Sequence, residues 1–467
     1  MTEYAVRLAA LRHRLADHPL GWVRPLVVGG VLVLSAAIAI AVPPRFLLAI
    51  PALVLGLAVV ALFLYRPPLG LLAIIASAPI PYDGPSHFNV TMVAVAGLVG
   101  LWVVGMILRQ GEIRLVPSAT MRPLFTLVVV ACLAFGVGQL PWYTFARPAP
   151  MGAQLGGLSI FLLSAGAFLL TAHQGRDVRW LARMTWLFLA LGALYTAGRF
   201  IPPLERQLAR LYAAPAAGSM FWAWLVILAA AQALFNRRLS LLWRGALAAL
   251  AAAALYHGIF QNSDWKSGWV PPVVGMAVLV ALASWRSALA VGLGGLTLTP
   301  KLATRLIATD AYSYSTRLDA WRIVVEIVKV NPVLGLGPAN YHWYTPLFPI
   351  RGYAVRFNSH NQYVDLIAQT GLLGLGAFLW FFWEVGRLGW WLRHRVPEGF
   401  ARAYVHASLA GVAATLVSAM LGDWVLPFFY NVNLGGFRAS VLPWLFLGGL
   451  VALEQNVREA QPAEATA

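Results

Sequence analysis

The run Asn358-Ser359-His360-Asn361 stands nine residues ahead of Gly371-Leu372-Leu373-Gly374, at the end of the only long hydrophilic loop in the chain. An imidazole beside an amide at the mouth of an apolar helix can donate to a phosphate oxygen or take a proton from a hydroxyl. Ser359 is a good N-cap, so the spacing predicts that a helix starts there and turns its free N–H groups toward an anion. The plainer reading is a capping or packing histidine. Asn361 is placed to hold the imidazole or a phosphate oxygen.

Cations come next. Arg317 follows Ser315-Thr316, read as an N-cap, at the start of a helical pattern. A guanidinium makes paired hydrogen bonds to phosphate, and a headgroup anchor is the alternative. Lys266 lies in Asn262-Ser263-Asp264-Trp265-Lys266-Ser267-Gly268-Trp269, and Arg210 opens Arg210-Leu211-Tyr212-Ala213-Ala214-Pro215. Each is a second cation near a span end. Pairing with Asp264 competes for Lys266, and headgroup anchoring for Arg210. Asp365 and Asp423 are the outward carboxylates at membrane depth, where an ionisable group has a partner or a job. Trp265, Trp269, Trp343 and Trp424 are candidates for stacking on a sugar, against the usual interfacial role of tryptophan, and Asp365 and Asp423 join Trp269 and Trp343 as candidate acceptor or sugar contacts. No Asp-x-Asp or His-x-x-x-His pair points to a metal site, and no Gly-x-Ser-x-Gly to a serine nucleophile.

These residues need a membrane scaffold to position them. Of 467 residues 60% are hydrophobic and 11% charged, and the mean hydropathy is +0.73. A soluble chain carries about 25% charged residues. The sequence therefore predicts an all-α polytopic membrane protein, one domain over 1–467. The net charge of +17 reflects arginines spread over the connections between spans rather than a nucleic-acid surface. The single cysteine, Cys132, excludes an internal disulfide. The first 26 residues form an Arg-containing arm without a recognisable cleavage site.

Apolar runs predict about 14 (12–14) spans, near 27–43, 46–65, 69–80, 90–108, 123–140, 152–171, 180–197, 218–235, 243–260, 269–285, 287–298, 371–392, 403–421 and 436–453. With both termini in the cytoplasm, 20 of the 34 Lys and Arg fall on inside connections, as the positive-inside rule asks. Seven of the 14 outward ones lie in one loop, 299–370: Lys301, Arg305, Arg317, Arg322, Lys329, Arg351 and Arg356. That loop is either merely solvated or the wall of an anion-binding cavity. Within it Leu318, Trp321, Val325 and Val328 share a helical face, which predicts an amphipathic surface helix ended by Asn331-Pro332. Gly335-Leu336-Gly337-Pro338 reads as a turn.

Three pieces occur together and in order: Arg317-Leu318-Asp319-Ala320-Trp321, then Asn331-Pro332-Val333-Leu334-Gly335-Leu336-Gly337-Pro338-Ala339-Asn340-Tyr341, then Ser359-His360-Asn361 with Gly371-x-x-Gly374. Over roughly residues 200–450 this pattern resembles the O-antigen ligase and polymerase superfamily. The resemblance implies a GT-C-like bacterial inner-membrane glycosyltransferase with an extracytoplasmic active site. It implies an undecaprenyl-diphosphate-linked glycan donor and a lipid or glycan acceptor in a lipid bilayer, with no nucleic acid, no cofactor and no metal. The family arginine falls on Arg317 and the family histidine on His360. A second family arginine, in a Ser-Arg-Gly run, is best matched by Lys266-Ser267-Gly268-Trp269, where lysine keeps the charge and loses the fork; Arg210 competes for that role. Ligase and polymerase differ in the acceptor, which no sequence feature identifies. A solute transporter is the reading from another class. It expects two similar halves with matching broken helices, a symmetry absent from the sequence.

Overall fold

A computed structural model describes residues 25, 29–30, 33, 49–84, 88–308 and 311–464. The predicted span near 27–43 and the N-terminal arm lie almost wholly outside them. The chain divides into two units, Met1–Arg66 and Pro67–Ala467. The first contains helix α1 (Ala49–Tyr65). The second is a bundle built from α2 (Leu69–Ser77), α3 (Val90–Gln110), α4 (Met121–Val137), α5 (Met151–Gln174), α6 (Val178–Gly198), α7 (Pro202–Leu211), α8 (Ser219–Phe235), α9 (Leu241–Tyr256), α10 (Lys266–Ala283), α11 (Trp285–Ala308), α12 (Ala311–Val328), α13 (Gln362–Leu392), α14 (Phe400–Leu421) and α15 (Phe437–Glu464).

Among the described residues there is no β-strand, only isolated bridges. Among the described residues eight helices are long and apolar enough to cross a membrane, and three shorter apolar segments accompany them. The described residues are thus all-helical and fit a polytopic membrane protein, with fewer candidate spans among them than the fourteen expected. The run at 69–80 folds as the nine-residue α2, about 14 Å long and too short for a core of about 30 Å. The run at 287–298 is the middle of α11, which extends to Ala308 and takes in Lys301 and Arg305. The predicted loop boundary at 299 therefore falls inside a helix.

Burial follows composition. Helix α8 reads Ser219-Met220-Phe221-Trp222-Ala223-Trp224 onward with no charge on any face, and nearly all of it is buried, as expected of a helix apolar all round. It packs on α9, α10, α14 and α15. Helix α15 is the other central element, with Trp444, Phe446 and Leu450 enclosed, and it lies along α5.

The feature that shapes the site is a break in α13. Gly371 has φ +67° and ψ −170°, a conformation open to glycine. It divides a short helix, residues 362–370, from a long apolar one starting near the predicted 371–392 span. Each side of the break exposes backbone groups that bilayer depth would not tolerate unpaired. The Pro332–Gly337 turn fills it. Leu372 and Leu373 donate to the carbonyls of Pro332 (2.8 Å) and Val333 (3.2 Å), while Leu336 and Gly337 donate to those of Ala368 (2.9 Å) and Gln369 (3.1 Å). Gly335 has no room for a side chain: a Cβ there would lie 2.6 Å from the Gly371 nitrogen. The two glycine motifs singled out in the sequence are thus the two halves of one joint. Asn340 pins the turn to the α4–α5 connection, donating to the Gly138 carbonyl (3.0 Å) and accepting from Ala149 N–H (2.9 Å).

Candidate functional site

Helix α12 starts six residues before the expected position. Ser315 and Thr316 turn their hydroxyls back to the Tyr312 carbonyl (2.9 and 2.8 Å) instead of capping, so Arg317 sits in the second turn. The buried stripe is Ala320, Val324, Ile327 and Val328, with helical spacing but rotated from the predicted face: Val325 is 45% exposed. Val324, Ile327 and Val328 pack with Leu336, Tyr341, Tyr344, Ala368 and Phe428 in one apolar cluster.

The helix carrying the His360 motif also starts later than expected. Helix α13 begins at Gln362, and Asn361 is its N-cap, accepting from Tyr363 N–H (2.9 Å) and Val364 N–H (3.3 Å). The first-turn donors expected to meet an anion are taken by that side chain. Asn361 holds neither the imidazole nor a cavity-facing position; its amide nitrogen lies 3.5 Å from the Met420 carbonyl.

Ser359 is the hub of the turn. It is fully buried. Its hydroxyl donates to Asp365 Oδ1 (2.8 Å), its N–H to the Tyr341 hydroxyl (3.2 Å), and its carbonyl accepts from Trp321 Nε1 (2.7 Å). Asp365 also accepts from the Tyr341 hydroxyl (2.5 Å). Burial and the neighbouring Asp365 charge push the Tyr341 hydroxyl well up, so it stays a donor. Asp365 has the partners expected at that depth, and those partners make it a brace rather than a wall of the cavity.

This brace leaves His360 in the left-handed region, φ +48°, which histidine visits more readily than most residues. Its ring turns toward the α14–α15 connection. There Asn431 Nδ2 lies 3.2 Å from His360 Nδ1 and also reaches Asp423 Oδ1. Asp423, fully buried, takes the Phe428 N–H on Oδ2 (2.6 Å). Burial raises the Asp423 carboxyl, opposed by the hydrogen bonds from Phe428 and Asn431. Burial, reinforced by the Arg317 charge, lowers His360; its ring is neutral at physiological pH.

His360 lines a cavity of about 480 Å³ with Tyr312, Ser313, Thr316, Arg317, Ala320, Ile350, Arg356, Phe357 and Asn358. The volume is in the range of ligand sites. The structure therefore brings Arg317 and His360 together and adds Arg356, which sequence reasoning counted only as one of seven loop charges. Its guanidinium stacks on the Trp343 ring, 3.6 Å from the centroid, and Trp343 Nε1 is held by the Tyr430 hydroxyl (2.8 Å). Trp343 is thus a platform for Arg356, with one face already covered. Among the described residues neither Arg317 nor Arg356 has a carboxylate partner.

Other expected site residues lie outside the cavity lining. Lys266 opens α10; its neighbour Trp265 packs edge-on to Trp424 (5.7 Å) and Ser267 Oγ reaches the Leu421 carbonyl (3.4 Å). It borders the end of α14 next to Asp423. Trp269 donates to the Ser263 carbonyl (2.9 Å) and packs on the turn before α10. Arg210 is exposed near the end of α7, against α6.

A family model described as O-antigen ligase matches residues 239–379. No curated protein matches the chain. The matched segment includes Lys266, Arg317, Arg356 and His360, and ends before Asp423 and Asn431. The match bears out the motif resemblance and supports an O-antigen ligase- or polymerase-like membrane glycosyltransferase: over residues 239–379 this chain is similar to the O-antigen ligase superfamily.

Proposed function

We propose that this protein transfers a glycan from an undecaprenyl-diphosphate-linked donor to a sugar hydroxyl of a lipid or glycan acceptor, as an O-antigen ligase does, at the extracytoplasmic face of the bacterial inner membrane. The observation that carries this reading is the single cavity shared by Arg317, Arg356 and His360, in which two guanidiniums without carboxylate partners stand beside a neutral imidazole. Fork-shaped donors suit a diphosphate and stabilise the charge that develops on it as it leaves. Arg317 and Arg356 hold the diphosphate. The acceptor hydroxyl displaces it directly at the anomeric carbon, with His360 against the reacting oxygens. Lys266, which opens α10 outside the cavity lining, is a third cation for a longer donor.

The test is transfer in liposomes with a short undecaprenyl-diphosphate glycan, with and without a lipid-core acceptor. Alanine at Arg317 or His360 is expected to lower turnover by about 10²-fold or more without loss of folded protein. Full activity in either variant sinks the assignment. Product on the added acceptor identifies a ligase; longer carrier-linked chains without it identify a polymerase.

A further inference from the structure

We infer that Asp423 and Asn431 fix His360 as the tautomer that carries its proton on Nε2, so that His360 donates a hydrogen bond to the donor's diphosphate instead of acting as a base. The diphosphate in this statement rests on the function proposed above; the tautomer does not.

The argument starts at the buried end of the network. Asp423 Oδ2 accepts from the Phe428 N–H, and Oδ1 faces the Asn431 amide. An ionised carboxylate accepts and cannot donate. The Asn431 atom facing it is therefore the amide nitrogen, and the orientation of this side chain follows from its partners. That nitrogen has two hydrogens and no usable lone pair. One hydrogen goes to Asp423, and the other points at His360 Nδ1, 3.2 Å away. Nδ1 must then offer its lone pair. In a neutral ring the proton is left on Nε2. Among the described residues Nε2 has no protein partner, and the ring lines the cavity with Arg317 and Arg356.

A nitrogen that already carries a proton cannot take one from the acceptor. It can, however, join the two guanidiniums in holding an anionic oxygen. The step then balances as follows. The acceptor hydroxyl oxygen bonds to the anomeric carbon as the bond from that carbon to the diphosphate oxygen breaks. The bonding pair goes to the diphosphate, and the hydroxyl proton ends on a diphosphate oxygen. His360 keeps its proton throughout. Asp423 and Asn431 are positioning residues that act through His360.

The rival arrangement is a protonated Asp423 with the Asn431 amide reversed. The proton then sits on His360 Nδ1, and Nε2 is a base. Nitrogen NMR of the full chain in nanodiscs, with histidine labelled at both ring positions, separates the two. The His360 signals are identified by their absence in His360→Gln. A pyrrole-like signal at Nε2 and a pyridine-like one at Nδ1 are expected. Asp423→Asn, close in shape, should exchange the two, because the new amide donates to Asn431 and turns its oxygen toward Nδ1. The opposite pattern in the wild type overturns the inference, whatever the transfer assay gives.

Kinetics supply the second readout. Glutamine at 360 places an N–H near the Nε2 position, and asparagine places one near Nδ1. His360→Gln should keep at least about tenfold more kcat than His360→Ala or His360→Asn, within the roughly 10²–10³-fold that one such donor supplies. Equal loss in all three variants overturns the donor role. A wild type inactive on the diphosphate-linked glycan removes the proposed function and leaves the NMR result to judge the tautomer alone.

Discussion

Two sets of arginines show how one side chain serves stability in one place and function in another. Arg438 on α15 is 1% exposed. Its two terminal guanidinium nitrogens donate to the carbonyls of Ala78, Ile80 and Tyr82 (2.9 Å for the last) and to Asp83 Oδ1 (2.7 Å), so it ties the end of α2 to the bundle. Among the described residues the cavity arginines, Arg317 and Arg356, have no carboxylate partner. Two other cations of residues 299–370 have one: Arg351 pairs with Asp319 (2.9 Å) and Lys329 with Glu326 (2.5 Å). Acidic residues are scarce here, 17 against 34 basic ones, yet they are spent on neighbours of the cavity and not on its walls. A cation left unpaired beside a cavity is the one with bonds to offer a ligand.

The comparison can be broken at either end. The largest effect is expected at Arg438. Arg438→Ala removes the donor shared by the carbonyls of Ala78, Ile80 and Tyr82, at about 1–3 kcal/mol for each buried group left unsatisfied, seen as loss of monodisperse protein on extraction. Arg317→Ala should do the reverse, lowering kcat/KM by roughly 10²–10³-fold while thermal stability stays within about 0.5 kcal/mol. If Arg317→Ala unfolds the protein and Arg438→Ala does not, the two roles have been assigned the wrong way round.

Arg356 should fall between. Removing its platform by Trp343→Leu forfeits a cation–π contact of about 0.5–2 kcal/mol. That predicts a loss in donor affinity of about tenfold, with the acceptor's KM unchanged. An altered acceptor KM with unchanged donor binding would return Trp343 to the sugar-stacking role.

The smallest effect is in pH. Burial and Arg317 lower His360, so its neutral form persists below the ordinary value near 6.5. Protonation at Nδ1 displaces the Asn431 amide. The acid limb of kcat/KM should therefore lie below pH 6.5 and move up when Arg317 is neutralised, since its charge is one cause of the shift. An acid limb above 6.5 in the wild type contradicts the environment described for His360.

What was legible in the sequence was local. Arg317, the Pro332–Gly337 turn, His360 and Gly371-x-x-Gly374 are each short patterns, and the fold needs them as such because the turn and the helix break close each other's hydrogen bonds. Helix starts were misread at Ser315-Thr316 and at Ser359, where a competent cap was present and a different residue won: Ser359 is drawn into the Asp365 and Tyr341 brace, which leaves Asn361 to cap. The partners of His360 were out of reach because Asn431 is 71 residues away and no spacing links them. Asp423 was singled out for its depth, and the structure places it against Asn431. Arg356 had a faint signal, four residues before His360 in the same strap, that the count of seven loop charges concealed.

The central claim is that Arg317 and Arg356 together hold a diphosphate. The most direct measurement is binding of undecaprenyl diphosphate against undecaprenyl monophosphate to the full chain in nanodiscs, for the wild type and the Arg317→Ala/Arg356→Ala double variant. The account predicts that the wild type prefers the diphosphate by at least about tenfold, as two charge-assisted forks should, and that the double variant loses the preference. An undiminished preference in the double variant would contradict it and move the diphosphate to Lys266 or another site.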